Sequence, residues 1–151
     1  MGHATLQKLV EIAPSPTLSP ALRGAMVAAA LKLAGATAYR GLGTFEFLVD
    51  ESSADLPLVF IEANPRLQVE HTVTEAVTGI DLVQAQLRIA QGATLAQLGL
   101  NQDQIAPPQG YAIQLRVNAE QLQPDGSARP AVGTLSAYEP PTGPRWLKSR
   151  M

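Results

Sequence analysis

The chain has 151 residues with 46% hydrophobic, 16% charged and a net charge of −2, enough for one ordinary core and too little for two full-sized domains. That balance excludes wholesale disorder and makes no electrostatic case for a nucleic-acid partner. No stretch approaches the roughly 20 apolar residues of a membrane span, the N-terminus MGHATLQKLV lacks a signal-peptide core, and the default expectation is a cytoplasmic protein with no membrane partner.

EIAPSPTLSP at 11–20 holds three prolines in seven positions and reads as an extended connector. It ends in a helix start, with Ser19 as N-cap and Pro20 at the first helical position. Leu22, Met26, Ala29 and Leu33 recur on one face, and Gly35 is the expected stop.

TFEFLV at 44–49 and LVFIEA at 58–63 have strand composition, with DESSADLP between them as the turn. An antiparallel hairpin centred near Ala54 sets Glu46 directly across from Glu62. The alternation then runs on: Glu62, Asn64, Arg66, Gln68 and Glu70 occupy every second position, separated by Ala63, Pro65, Leu67 and Val69. Leu58 and Phe60 share the parity of Glu62, which makes that face partly apolar.

Thr72 and Glu75 fit a capping box for a short helix ending at Gly79, and Asp81 fits the cap of a second helix, DLVQAQLRIAQG. A weaker helical turn at TLAQLG precedes PPQG at 107–110, which reads as a boundary. YAIQLRVNAE at 111–120 and GTLSAY at 133–138 are expected strands, so the fold class is α+β.

Like charges opposite one another on a ladder are destabilising, so Glu46 and Glu62 call for a cation or for exposure to water. A hard divalent ion held through oxygen, with Asn64 as a further ligand and a nucleotide phosphate beside it, suits Mg²⁺ or Mn²⁺. The plain alternative is the wet face of an amphipathic hairpin. Arg66 is a planar donor for an oxyanion, Gln68 can join it and Glu70 follows as an acceptor; an Arg66–Glu70 surface ion pair is the plain alternative here. Arg116 lies either on a wet face or toward a ligand cleft. His3 and His71 have no nearby histidine or cysteine partner, which argues against zinc, and for His71 a structural hydrogen bond is favoured. With no cysteine there is no thiol nucleophile or disulfide. RGLGTFEF lacks the third glycine of a dinucleotide fingerprint, and no P-loop or G-x-S-x-G elbow occurs.

QKLVEIAPSP, YRGLGTFEFL, FIEANPRLQVEHTVTEAVTGIDLVQAQLRIAQG and LRVNAE together resemble the biotin carboxylase component of biotin-dependent acyl-CoA and pyruvate carboxylases, which have the ATP-grasp fold. The resemblance spans about residues 4–143. It implies the C-terminal half of an ATP-grasp domain at 1–106, the first strands of the biotin carboxylase C-terminal domain at 107–144 and an atypical tail, RWLKSRM, at 145–151. It also implies ATP, Mg²⁺ or Mn²⁺ and carrier-bound biotin. Glu46, Glu62 and Asn64 would hold metal. Lys8, Arg66, Gln68 and the Val69 backbone would hold bicarbonate. Glu70 would be the base, with Arg66 and Arg116 completing the catalytic set.

Implied partners are a biotin carboxyl carrier protein or domain, a carboxyltransferase component and the N-terminal part of the same enzyme, with a homodimer also in view. The Rossmann-like domain, glycine-rich lid and nucleotide-gripping lysines of the family are not in this sequence, so the expectation is a fragment without turnover of its own. Two alternatives remain: another ATP-grasp ligase resembling carbamoyl phosphate synthetase, and a non-catalytic assembly module.

Overall fold

The computed structural model describes residues 8–50, 53 and 57–139. His3, most of the turn between the hairpin strands and the tail 145–151 lie outside the described residues. The elements in chain order are β1 (Val10–Ala13), α1 (Pro20–Ala36), β2 (Thr44–Val49), β3 (Leu58–Asn64), α2 (His71–Thr78), α3 (Leu82–Ala90), β4 (Ala112–Leu115), β5 (Glu120–Leu122) and β6 (Ala128–Pro130). The fold is α+β, as expected. Two compact units divide it, Met1–Arg116 and Val117–Met151.

In the first unit β1 pairs antiparallel with β4 and β2 with β3, giving a pair of two-stranded sheets. The stretch expected to be a pure connector therefore begins as a strand: Glu11 lies opposite Gln114 and Ile12 opposite Ile113, and the prolines interrupt pairing only after Ala13. β1·β4 packs against α2, where the Thr72 hydroxyl donates to Gln114 Oε1 and the Gln109 N–H donates to Val77 O at 2.8 Å. Among the described residues the buried apolar side chains are Val73, Val77 and Ala85, between 5% and 7% exposed. The core thus sits under α2 and α3.

The helix starts follow local chemistry. Ser19 accepts from Leu22 N at 3.2 Å with Pro20 next in line, and Asp81 Oδ1 accepts from Gln84 N at 2.8 Å. α1 continues through Gly35 to Ala36 because Thr37 forms the C-cap, its N–H and hydroxyl both bonding Leu33 O. The Thr72–Glu75 capping box does not form. α2 begins after Glu70 with no side-chain cap; Thr72 is drawn across to β4, and Glu75 Oε1 accepts from Leu82 N at 2.8 Å, bracing the start of α3. Between the two helices Gly79 takes φ 73°, left-handed backbone that favours glycine.

In the second unit β5 pairs with β6. Asp125 accepts from the Ser127 N–H at 2.9 Å and hydroxyl at 2.7 Å, closing the turn and holding the Asp125 pKa below its ordinary value. No strand forms at 133–138, and the strand expected over 111–120 is paired as β4 only at 112–115. Alternation alone overextends both: a strand needs a partner for its ladder, and here β1 pairs only with 112–115 and β6 only with 120–122.

Replacing Asp81 by alanine removes the α3 cap and is expected to cost about 0.5–2 kcal/mol. Urea unfolding should show a lower midpoint at unchanged slope, with Asp81→Asn near wild type; an unchanged midpoint in Asp81→Ala would show that the cap does not matter.

Candidate active site

The hairpin register places Glu46 opposite Glu62 and Thr44 opposite Asn64. Asn64 Nδ2 donates to Glu62 Oε1 at 2.7 Å and to Glu46 Oε1 at 3.3 Å, so one amide spans both carboxylates. The ladder shifts between Glu46 and Phe47, since Phe47 pairs with Phe60 and leaves Ile61 as the extra residue. This bulge breaks the parity that put Phe60 beside Glu62. Phe60 instead packs on Phe47, edge to face with ring centroids 5.6 Å apart.

β3 ends at Asn64. Pro65 has no N–H for the ladder, and the Arg66 N–H turns back to Asn64 O at 2.8 Å. The polar alternation through Glu70 is therefore not one strand face. Arg66 is exposed with Nη1 on Leu67 O at 3.3 Å, Gln68 and Glu70 are half-buried, and residues 69–70 turn into α2. His71 Nδ1 lies 2.7 Å from Gln68 O, the structural hydrogen bond expected of it, and this pins the loop to the helix. The Val69 N–H donates to no backbone carbonyl among the described residues and faces no competing bond of that kind.

Lys8 closes the cluster from outside the motif. Its Nζ is 2.7 Å from Glu46 Oε2 and 3.4 Å from Glu70 Oε1. Burial opposes the lysine charge, but the hydrogen bond and charge of Glu46, reinforced by Glu70, outweigh it and raise the Lys8 pKa above 10.5. An ammonium has three donors, so one remains for an anion. The alternative surface pair Arg66–Glu70 is not found; Glu70 pairs with Lys8 and Arg66 donates to Leu67 O. Sequence reasoning missed the Lys8–Glu46 bond; nothing local in QKLVE announces a partner 38 positions away, given that 46 − 8 = 38.

Arg116 follows directly on β4, its N–H bonding Leu9 O at 2.9 Å. It is half-buried on the ladder face of Gln114, the face that meets α2. The structure thus brings Lys8, Glu46, Glu62, Asn64 and Glu70 into one bonded set. Arg66, Gln68 and Val69 lie on the adjoining loop, and Arg116 is on the β1·β4 ladder.

Residues 2–98 match the carbamoyl-phosphate synthase L chain, ATP binding domain. The chain belongs to that family. Within the family it is 51% identical to pyruvate carboxylase from Pichia angusta over 132 residues, which is 87% of this chain and 11% of the relative. It is also 51% identical to biotin carboxylase from Nostoc sp. over 138 residues, 91% of this chain and 29% of the relative. Among solved structures it superposes on a single-chain, multi-domain long-chain acyl-CoA carboxylase with TM-score 0.81 and 49% identity, covering 92% of this chain and 14% of that one. The biotin carboxylase domain of a thermophilic 2-oxoglutarate carboxylase bound to bicarbonate gives TM-score 0.77 at 42% identity, covering 92% and 29% respectively. The chain spans between 11% and 29% of the length of these relatives.

Among the described residues no group of three or more histidine or acidic side chains converges on one point. Two carboxylates and an amide are nonetheless the oxygen set of a Mg²⁺ or Mn²⁺ ion that takes its remaining ligands from phosphate and water. Glu46 and Glu62, spanned by one amide, fit that group once Asn64 turns its oxygen inward. A cavity of about 400 Å³ lined by Ile80, Ala85, Arg88, Leu98 and Ile105 shares no residue with this cluster.

Because its folded pKa is raised, Lys8 contributes stability that is fully present below 10.5 and is lost as pH climbs through the folded value. The side chain is 48% exposed, so Lys8→Met is expected to cost only ~0.2–1 kcal/mol. Melting curves should show that deficit near neutral pH and its disappearance above 10.5; a deficit independent of pH would mean that Lys8 acts through packing alone.

Proposed function

We propose that this chain supplies the metal- and bicarbonate-binding part of a biotin carboxylase, an ATP-dependent ligase that carboxylates carrier-bound biotin. The observation that carries the reading is the bonded set Lys8–Glu46–Asn64–Glu62 with Glu70 on the same lysine, together with relatives that are carboxylases.

In this reading Glu46, Glu62 and Asn64 hold Mg²⁺ or Mn²⁺, which when bound neutralises phosphate charge on ATP. Arg66, Gln68, the Val69 N–H and the remaining Lys8 donor bind bicarbonate and fix its orientation for in-line attack. Glu70 accepts the bicarbonate proton as the oxygen attacks the γ-phosphate, forming carboxyphosphate and ADP. Carboxyphosphate gives CO₂ and phosphate, and the phosphate takes the proton from the biotin ureido nitrogen. Arg116 donates hydrogen bonds to the enolate oxygen that develops.

Residues 1–106 would contribute to the ATP-grasp domain and 107–144 to the start of the next domain. Partners in this reading are the rest of the same enzyme, a biotin carrier and a carboxyltransferase. The family description names carbamoyl-phosphate synthase, which favours as second reading a ligase for another acid; ATP cleavage indifferent to biotin would support it.

Mn²⁺ with ADP is expected to raise the melting temperature of the chain, with the shift absent in Glu62→Gln. A shift of equal size in that variant would remove Glu62 from the site, and no shift in either protein would mean that the half-site does not bind nucleotide by itself.

A further inference from the structure

β1 is inverted relative to an ordinary amphipathic strand. Val10 and Ile12 are 56% and 43% exposed, while Glu11 turns toward the α2 side with Gln114. Both Glu11 carboxylate oxygens are shielded from solvent and neither has a hydrogen-bond partner. A shielded, unpaired carboxylate is expensive, and such groups persist where a charge partner is available to them.

The ladder identifies that partner. Glu11 sits opposite Gln114 and the Arg116 N–H bonds Leu9 O, so Arg116 is the diagonal neighbour of Glu11 on the same face. Diagonal pairs on an antiparallel ladder lie about 7–8 Å apart at Cα, within reach of a long side chain. Gln114 already accepts from Thr72. The Arg116 guanidinium has no side-chain partner among the described residues, is permanently charged and offers five N–H donors. Among the described residues it is a cation placed on this face to satisfy both carboxylate oxygens.

We propose that Glu11 is the positioning residue for Arg116: its shielded carboxylate engages one edge of the guanidinium across the β1·β4 ladder and leaves the other edge free for substrate. The substrate half of this inference rests on the proposed function; the pairing itself does not. A fork held on one side by a fixed carboxylate keeps its remaining N–H groups in a defined direction, and a freely rotating arginine does not.

The test is the Arg116 side-chain Nε–Hε resonance of the full 151-residue chain, assigned by its disappearance in Arg116→Lys. In wild type this signal should be displaced downfield and slow to exchange. In Glu11→Gln it should move to the position of a solvated arginine while the backbone amide spectrum is retained, and Glu11→Asp should restore part of the displacement. The reciprocal experiment leaves Glu11 in place: Arg116→Met should shift the Glu11 carboxylate carbon. An Arg116 signal identical in wild type and Glu11→Gln overturns the proposal, as does a Glu11→Gln change confined to the Gln114 amide. Bicarbonate titration separates the two readings: an intact Glu11–Arg116 response with no effect of bicarbonate on the loop 66–70 would sink the proposed function and leave the pairing standing.

Discussion

Two glutamates face each other across the β2·β3 ladder, and most of the site follows from what that arrangement demands. Like charges at adjacent ladder positions repel, so the hairpin requires positive charge or polar donors at that spot. The chain supplies both from different distances: Asn64 reaches back along its own strand to bridge the two carboxylates, and Lys8 comes from the approach to β1. Because Lys8 also contacts Glu70, the same cation ties the hairpin carboxylates to the loop that carries Arg66, Gln68 and Glu70. A divalent ion would meet the same demand more strongly, and binding it requires Glu46 to exchange an ammonium for a metal.

Secondary structure serves this constraint in two places where the chain departs from regularity. The bulge at Ile61 separates the carboxylate pair from the aromatic pair Phe47–Phe60, so polar and apolar partners each meet their own kind. Pro65 then ends the strand, and the bond from His71 to Gln68 O anchors the ensuing loop to α2. Gln68, Val69 and Glu70 are thereby carried by a short segment fixed at both ends.

Much of this was legible in the residues. The hairpin register, with Glu46 opposite Glu62, follows from two strand-like runs and the length of the turn between them, and the Ser19 and Asp81 caps follow from local chemistry. Long-range pairing is where reading along the chain failed. Glu11–Ala13 looked like linker because its partner, β4, is a hundred residues away in sequence (114 − 11 = 103 for the Glu11–Gln114 pair). Thr72 and Glu75 have the spacing of a capping box, yet each bonds elsewhere, Thr72 to Gln114 on β4 and Glu75 to the Leu82 N–H. The alternation from Glu62 to Glu70 suggested one continuous face, whereas proline and turn geometry deliver those side chains from a strand and a loop. The roles of Arg66, Gln68, Glu70 and Arg116 came from resemblance to the carboxylases; spacing alone left them between a site and a wetted surface.

In the proposed function Glu46 and Glu62 act together as the metal seat of a phosphate-binding site. Water-proton relaxation by Mn²⁺ reads this directly, because an ion immobilised on the protein enhances relaxation and a free ion does not. Titration of Mn²⁺ into the chain should give an enhancement that grows with ADP and is lost in both Glu46→Gln and Glu62→Gln. Equal enhancement in wild type and either variant would contradict the account, since the ion would then be bound elsewhere.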